Sequence, residues 1–207
     1  MNAETVMKIM KLFRMNLDKD FSILEISKKL HIGYRPAYNH IQELKQQKLI
    51  NLKKVGSSSQ CALNLKNELC RNFLEVIDIT RKEALFEKNN KLKNVIEILT
   101  SKLTDDIIGK IHSIVLFGSY AKNTAGKTSD VDILFIVADI KDTNSREVIE
   151  RECASFQISH NTHIGPLITD VKEFKKMLLS KELNVGKEVK EYGIALYGSE
   201  LFWRVMA

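Results

Sequence analysis

Residues 114–137 read IVLFGSYAKNTAGKTSDVDILFIV, and the fold of the C-terminal part follows from this stretch. Two short apolar runs, residues 114–117 and 133–137, have the β-branched and aromatic composition of buried strands. A glycine–serine pair ends the first run, and Asp130-Val131-Asp132 leads into the second. The stretch therefore predicts two strands whose adjoining ends carry the pattern G-S-x10-D-x-D.

The residue types in this pattern point to phosphate chemistry. Asp130 and Asp132 are two residues apart on an extended chain, so their carboxylates are expected to point the same way. Such a pair repels itself unless a cation lies between, and hard divalent cations prefer oxygen ligands. Gly118 permits a tight turn, and Ser119 with the following amides suits phosphate oxygens. A metal-binding carboxylate pair beside a phosphate cradle indicates phosphoryl or nucleotidyl transfer.

The two segments FGSYA (residues 117–121) and SDVDI (residues 129–133) resemble the minimal nucleotidyltransferases of the DNA polymerase β superfamily. The likeness covers about residues 90–207 and implies a mixed sheet flanked by helices. It also implies that Asp130 and Asp132 are catalytic and bind Mg²⁺. The residues expected to contact a nucleoside triphosphate, expected to be ATP, are Gly118, Ser119, Lys122 and Ser129. The implied reaction transfers a nucleoside monophosphate to a hydroxyl group.

Two positions depart from the family pattern. The family often has arginine where this chain has Lys122, and a lysine meets phosphate as a point charge rather than as a fork. Active members usually add a third carboxylate from a later strand, here predicted over residues 162–169. By alignment that position falls on Gly165, with Asp170 too far along and His163 a poor substitute. The alternative is therefore a catalytically silent nucleotide sensor or dimerisation platform in a transcriptional regulator.

The excess positive charge of the chain lies in its first third. The net charge is +6, and residues 1–65 hold 11 basic and 5 acidic side chains, so the remaining residues are neutral overall. Such asymmetry suggests that the basic part faces a polyanion. A solvated surface of no special function is the competing interpretation, and the local pattern has to decide between them.

That local pattern predicts three helices followed by a hairpin. Val6, Ile9, Met10 and Phe13 have helical spacing, and Ser22-Ile23-Leu24-Glu25 is a capping box that opens a second helix. A third helix is predicted over residues 34–47, then strands over 49–55 and 60–65 with a turn at 56–59. The polar side chains expected to face outward are Arg35, Tyr38, Asn39, Gln42 and Lys45 on the third helix, with Lys53 and Lys54 beside the turn.

This order of elements resembles the winged helix-turn-helix family of DNA-binding domains. The resemblance implies that the third helix reads bases in double-stranded DNA, through Arg35, Tyr38, Asn39 and Gln42, while Lys53 and Lys54 meet phosphates. Similar small domains also serve as protein-docking modules, and that alternative stays open.

The middle of the chain predicts a helical connector. A helix over residues 66–87 has one apolar face, formed by Leu69, Phe73, Val76, Ile77 and Ala84. Asn89 and Asn90 interrupt it before Val95, Ile96 and Leu99 continue on a second helix. Since winged-helix regulators often dimerise, pairing of this helix in a homodimer is left open. The resulting division is α+β: a winged helix over residues 1–65, a connector over 66–88 and a nucleotidyltransferase-like domain over 89–207.

The cysteines and the apolar runs indicate the cellular environment of the protein, and the last third of the chain contributes to packing. Cys61, Cys70 and Cys153 have neither disulfide-framework nor zinc-ligand spacing. Apolar runs long enough to cross a bilayer and a secretory signal are both absent, so we expect a cytoplasmic protein with no membrane partner. The last third is assigned to packing, with Trp203 covering an edge of the domain. A third functional alternative is an antitoxin-like enzyme that modifies a partner protein.

Overall fold

A computed structural model describes residues 2–56, 58–107, 109–126 and 128–207. The chain divides into two compact units, Met1–Ile77 with Ala207, and Asp78–Met206. None of the described helices is both long enough and apolar enough to cross a membrane.

Three helices open the first unit: α1 (Ala3–Arg14), α2 (Ile23–Leu30) and α3 (Tyr34–Gln46). Each buries the stripe that its spacing predicts, and the buried residues include Val6, Ile9, Met10, Phe13, Ile26, Ala37, Ile41 and Leu44. The predicted capping box is confirmed, because the Glu25 amide donates to Ser22 Oγ and the Ser22 amide donates to Glu25 Oε2 at 2.7 Å. Amphipathic periodicity thus accounts for all three helices, and side-chain caps at Asn2 and Ser22 support α1 and α2.

A small antiparallel sheet completes this unit. Its strands β1 (Phe21–Ser22), β2 (Ile50–Val55) and β3 (Ser58–Leu63) lie in the order β1-β3-β2. The predicted four-residue turn is wrong, because Ser58 and Ser59 belong to β3, where Ser58 pairs with Val55. Gly56 has a φ of +60°, as tight hairpin connections require, and Ser57 lies outside the described residues.

The helix that follows the hairpin, α4 (Glu68–Lys88), buries a face that agrees only in part with the predicted one. Leu69 and Val76 are 46% and 49% exposed, and Ala84 is exposed as well. Of the predicted face, Ile77 is buried and Phe73 is half-buried, and the other buried residues of α4 are Cys70, Leu74, Leu85 and Phe86, together with Asp78. Two apolar sets one residue apart both have helical spacing here, so periodicity does not choose between them.

The second unit is built on a four-stranded mixed sheet. Its strands are β4 (Ile111–Leu116), β5 (Val131–Val137), β6 (Ile164–Asp170) and β7 (Ile194–Tyr197), in the order β6-β5-β4-β7. β4 is antiparallel to both of its neighbours, whereas β5 and β6 are parallel. The helices are α5 (Asn90–Asp106), α6 (Gly118–Ala121), α7 (Thr143–His160), α8 (Val171–Leu179), α9 (Val185–Tyr192) and α10 (Ser199–Val205).

Both faces of this sheet are covered by helices. On one face, Ile114, Ile133 and Phe135 belong to a core that includes side chains of α5 and α7. The side chains of Val115 and Leu134, at alternate positions, are buried too. The sheet is therefore buried on both sides, as the near-continuous apolar composition of β5 requires. Trp203 of α10 is 0% exposed, so its predicted place at an edge is wrong.

The three cysteine thiols are buried and unpaired by disulfides. Burial raises the pKa of Cys61 and Cys153 to about 12 and that of Cys70 to about 11. The thiolate is the reactive form, so we expect the native protein to react with an aromatic disulfide reagent at pH 8 at least about 100-fold more slowly than a free thiol. Denatured protein, as the control, should react rapidly at all three thiols, and fast labelling of one thiol in native protein would contradict the burial.

Candidate functional site

The bend after β4 brings a glycine directly against a carboxylate. Gly118 has a φ of +69°, and a Cβ on this residue would lie 2.0 Å from Asp132 Oδ2 and 2.8 Å from Asp132 Cγ. The Phe117 amide donates to the Asp132 carbonyl at 3.0 Å and ties the ends of β4 and β5 together. Only glycine combines this backbone conformation with this close approach.

The turn after the bend is a single helical turn, α6. Ser119 is half-buried, and its carbonyl accepts a hydrogen bond from the Thr124 amide at 2.9 Å. Because α6 has only four residues, the helix dipole expected to help bind phosphate is small here. The Ser119 hydroxyl is what this turn offers to an anion, since the Asp132 carboxylate occupies the space beside Gly118.

The two aspartates at the start of β5 have different surroundings. Asp132 is half-buried, whereas the side chain of Asp130 is 58% exposed and its Oδ1 lies 3.3 Å from His163 Nδ1. Burial raises the pKa of Asp132 above its usual value, and the negative charges of Asp130 and Glu188 raise it further. The site therefore concentrates negative charge on a partly desolvated carboxylate, an arrangement that a bound cation would relieve.

Lys122 has a partner that the sequence did not suggest. Its Nζ lies 2.8 Å from Glu188 Oε1 and 5.4 Å from the centre of the Tyr192 ring. The hydrogen bond to Glu188 raises the pKa of Lys122. Glu188 belongs to α9, which the sequence assigned to packing, and no spacing rule links residues this far apart in the chain. The sequence marked Glu188 only by its position next to Val189, whose side chain is buried.

The neighbouring strand confirms that glycine stands opposite the carboxylates. In the parallel register Asp132 pairs with Gly165, and a Cβ on Gly165 would lie 3.4 Å from Asp132 Oδ1. Asp170 pairs with Val137, five residues farther along and thus about 16 Å away, and it caps α8 by accepting from the Glu173 amide. The third carboxylate of the family pattern is therefore not supplied by β6.

The loop before the aspartates is closed by Ser129. Ser129 Oγ accepts a hydrogen bond from the Gly126 amide at 2.8 Å, so this hydroxyl shapes the loop that leads to Asp130. Ser129 and Asp130 also line an open cleft of about 690 Å³. His160 ends α7 and stacks on Phe156 with ring centres 5.0 Å apart.

The donor set at the start of β5 fits Mg²⁺. Asp130 and Asp132 supply carboxylate oxygens, the ligands this ion prefers, and it commonly takes only one or two carboxylates besides water and phosphate. Among the described residues, no group of three or more His, Cys, Asp or Glu side chains is arranged to hold a metal ion. The protein thus offers two carboxylates, and phosphate and water would have to supply the remaining ligands.

The residues predicted to contact DNA lie on the surface of the first unit. Arg35, Tyr38, Asn39 and Lys45 on α3 are exposed, as are Lys53 and Lys54 on β2, whereas Gln42 is half-buried. Tyr34, which the sequence analysis did not select, is 54% exposed and stacks on Tyr38 with ring centres 6.5 Å apart. Its spacing of four from Tyr38 on a helix is a signal that could have identified it.

The second unit is similar to known nucleotidyltransferases. The model of a family described as "Nucleotidyltransferase domain" matches residues 92–196. "Putative protein adenylyltransferase MJ0141" of Methanocaldococcus jannaschii is 27% identical over 85 residues, which make up 41% of this chain and 78% of that protein. "Putative protein adenylyltransferase MJ1305" of the same organism is 31% identical over 87 residues, 41% of this chain and 56% of that protein.

Solved structures are also similar to about half of this chain. "Crystal structure of the toxin-antitoxin with AMP-PNP" is 26% identical, and the match covers 53% of this chain and 83% of that chain with a TM-score of 0.36. "Crystal structure the toxin-antitoxin MntA-HpeT mutant-D39ED41E" is 21% identical, with 52% and 81% covered and a TM-score of 0.34.

Proposed function

This chain belongs to the nucleotidyltransferase domain family, and on that premise we propose that residues 89–207 bind ATP with Mg²⁺ and transfer its adenylyl group to a hydroxyl group of a protein. The observation that carries this proposal is the contact between Gly118 and the Asp132 carboxylate. It joins the glycine–serine bend and the aspartate pair in one site, where a polyphosphate and a cation can meet.

In the proposed complex, each residue has a role that follows from its surroundings. Gly118 leaves room for the Asp132 carboxylate beside the bend, and the Ser119 hydroxyl donates to a phosphate oxygen. Lys122 exchanges Glu188 for phosphate, because the triphosphate carries more negative charge than one carboxylate. Asp130 and Asp132 would hold Mg²⁺, which supplies charge neutralisation at the phosphates.

The proposed reaction balances without a further reactant. The acceptor hydroxyl oxygen forms a bond to the α-phosphorus while the bond from that phosphorus to the bridging oxygen breaks. Pyrophosphate leaves with the electron pair of that bond, and the hydroxyl proton is released to solvent. The residues of this chain bind and orient the nucleotide for an attack in line with the departing pyrophosphate.

The choice of a protein acceptor is supported by the two archaeal relatives, whose names describe protein adenylyltransferases. A protein acceptor also agrees with the third functional alternative, an antitoxin-like enzyme that modifies a partner protein. Glycine at position 165 favours a competing proposal, in which nucleotide binds and transfer is absent. That protein would be a nucleotide sensor within a regulator.

Two measurements separate these proposals. Calorimetry with ATP and Mg²⁺ tests binding, and α-labelled ATP tests transfer to candidate proteins and to the chain itself. Binding with label transfer supports the transferase, and binding without transfer to any acceptor supports the sensor. A protein that binds no nucleotide would contradict both.

We further propose that residues 1–65 form a winged helix domain that binds double-stranded DNA. The observation favouring it is that the excess positive charge of the chain falls in this segment, while Arg35, Asn39 and Lys45 are exposed on one helix, α3. Cationic side chains displace the counterions that surround DNA phosphates, so such a surface gains affinity at low salt.

Two substitutions distinguish base contacts from phosphate contacts in this proposal. Arg35→Ala is expected to cost about 1–3 kcal/mol and to relax sequence preference, whereas Lys53→Ala should weaken all duplexes alike and reduce the salt slope by about one. Fluorescence anisotropy of the full chain over a range of salt concentrations measures both effects. Lack of affinity for any duplex at low salt would instead assign the segment to protein docking.

A further inference from the structure

Asp130 is the member of the aspartate pair that lines the cleft of about 690 Å³. Tyr120, Ser129, Asp130 and His163 line it, together with Gln157 in the last turn of α7. The described residues that line it do not include Gly118, Ser119, Lys122 or Asp132. The cleft therefore meets the expected nucleotide and cation contacts at Ser129 and Asp130 only, and it does not include the Gly118–Ser119 bend or Lys122.

The sheet order gives these two spaces their relative places. β5, which carries Asp132, lies between β4 and β6. Gly118 follows β4, whereas His163 immediately precedes β6 and its carbonyl accepts from the Val131 amide at 2.9 Å. The expected phosphate position thus lies on the β4 side of Asp132, and the part of the cleft at His163 lies on the β6 side.

In-line transfer requires the entering and leaving oxygens to lie on opposite sides of the α-phosphorus. If the leaving phosphates occupy the Gly118 side, the acceptor oxygen has to approach from the side of Asp130 and His163. The cleft opens there, and its volume is that of an ordinary ligand site. It is consequently the route by which an acceptor would reach the nucleotide.

The lining indicates what kind of acceptor fits. Gln157 and Asn161 contribute exposed amide side chains that make no hydrogen bond within the described residues, and Thr128 contributes a hydroxyl. Lys91 is the only lysine or arginine among the described lining residues, and its Nζ donates to the Asn161 carbonyl at 3.0 Å. A nucleic-acid acceptor needs several cations for its phosphates, whereas amides suit the donors and acceptors of a peptide backbone.

We propose that this cleft is the acceptor site and that it takes an uncharged polypeptide segment bearing a hydroxyl side chain, with Gln157 and Asn161 contacting its backbone. This assignment rests on the proposed adenylyl transfer. It adds the place of the acceptor and the uncharged character of the segment around its hydroxyl group, which the nucleotide-binding residues do not specify.

A matched pair of tryptophan substitutions on α7 tests the assignment. Gln157→Trp fills the cleft, whereas Ile158→Trp places the same side chain at a position that is 90% exposed in the wild-type protein. With N-acetyltyrosinamide as acceptor and α-labelled ATP, Gln157→Trp should lower kcat/KM for the acceptor at least about tenfold and leave the Kd of ATP within about twofold. Ile158→Trp should change neither quantity. Equal loss in both variants, or preferred labelling of a short RNA with a free 3′-hydroxyl, would overturn the assignment.

Amide chemical shifts of the labelled full chain make failure of the site distinguishable from failure of the reaction. ATP with Mg²⁺ should shift the backbone amides of Gly118 and Ser119, while N-acetyltyrosinamide should shift the side-chain amides of Gln157 and Asn161, even if no transfer occurs. Absence of the ATP shifts would contradict the proposed function. If ATP alone shifted the side-chain amide signals of Gln157 and Asn161, the cleft would be a nucleotide site and the acceptor assignment would be overturned.

Discussion

Replacing Asp132 with asparagine is expected to lower adenylyl transfer by about 100- to 1,000-fold, the loss of several kcal/mol of charge stabilisation. Asparagine keeps the size of the side chain beside Gly118 but removes the negative charge that a cation would require. Mg²⁺-dependent ATP binding should weaken with it, and Asp130→Asn should act in the same direction. Calorimetry and transfer of label from α-labelled ATP measure these losses.

Asp132→Asn should also raise the stability of the protein when no ligand is bound. The pKa of Asp132 is raised in the folded state, chiefly by burial, so its ionised form is less favourable there than in the unfolded chain. This destabilisation is present above the folded-state pKa and disappears below the unfolded-state value near 4. Asp132→Asn should therefore have a higher Tm than wild type at neutral pH, and the difference should vanish as the pH falls through that range.

Asp105→Asn is the matched control for these measurements, because Asp105 is exposed on α5 and is not among the described residues that line the cleft at Asp130. It should leave binding, transfer and the pH dependence of Tm unchanged. If Asp132→Asn bound ATP and Mg²⁺ like wild type, Asp132 would not be a ligand, and the proposed site would be wrong.

Replacing Gly118 with alanine is expected to disable the site almost as completely. The methyl group would lie 2.0 Å from Asp132 Oδ2 and 2.8 Å from Asp132 Cγ, so the carboxylate has to rotate away from its position. The positive φ adds about 1–2 kcal/mol of backbone strain for a residue with a side chain. We expect a fall in transfer close to that of Asp132→Asn, together with a lower Tm.

Substitutions at two other glycines distinguish backbone strain from the contact with Asp132 as causes of the loss in Gly118→Ala. Gly109 has a φ of +74°, but a Cβ at this position would have nothing within 4 Å, so Gly109→Ala reports the backbone strain alone. At Gly126 the nearest atom would be Ser129 Oγ at 3.9 Å, so Gly126→Ala should be nearly neutral. A Gly118→Ala variant that resembled Gly109→Ala in stability and kept wild-type transfer would show that its contact with Asp132 has no functional role.

A double substitution tests the contact itself. Asp132→Ala removes the atoms that the new methyl group would meet, so Gly118→Ala should cost less stability in that background than in wild type. The difference is the coupling between the two positions, and neighbours of this kind usually couple by about 0.5–3 kcal/mol. Additive effects would mean that Gly118 acts through backbone conformation alone.

Much of the local structure could be read from the amino-acid order, because its signals act over a few residues. The Ser22–Glu25 capping box, the buried stripe of α1 and the strand composition of β5 all occur as predicted. The place of Gly165 was instead implied by the family resemblance, and its pairing with Asp132 joins strands that are distant in the chain. Hydrogen bonding, capping and side-chain alternation are short-range effects, so the sequence carries them directly.

Features that depend on distant segments needed the folded chain. The buried face of α4 was ambiguous because two apolar stripes compete, and packing against other elements selects one. The ion pair between Lys122 and Glu188 joins the end of α6 to α9, and the cleft beside Asp130 is formed by segments from α5 to β6. Spacing rules describe neighbours along one element, whereas these contacts arise when separate elements pack. The pair of aspartates thus identified the kind of chemistry from sequence, and the tertiary structure supplied the partners and the space around it.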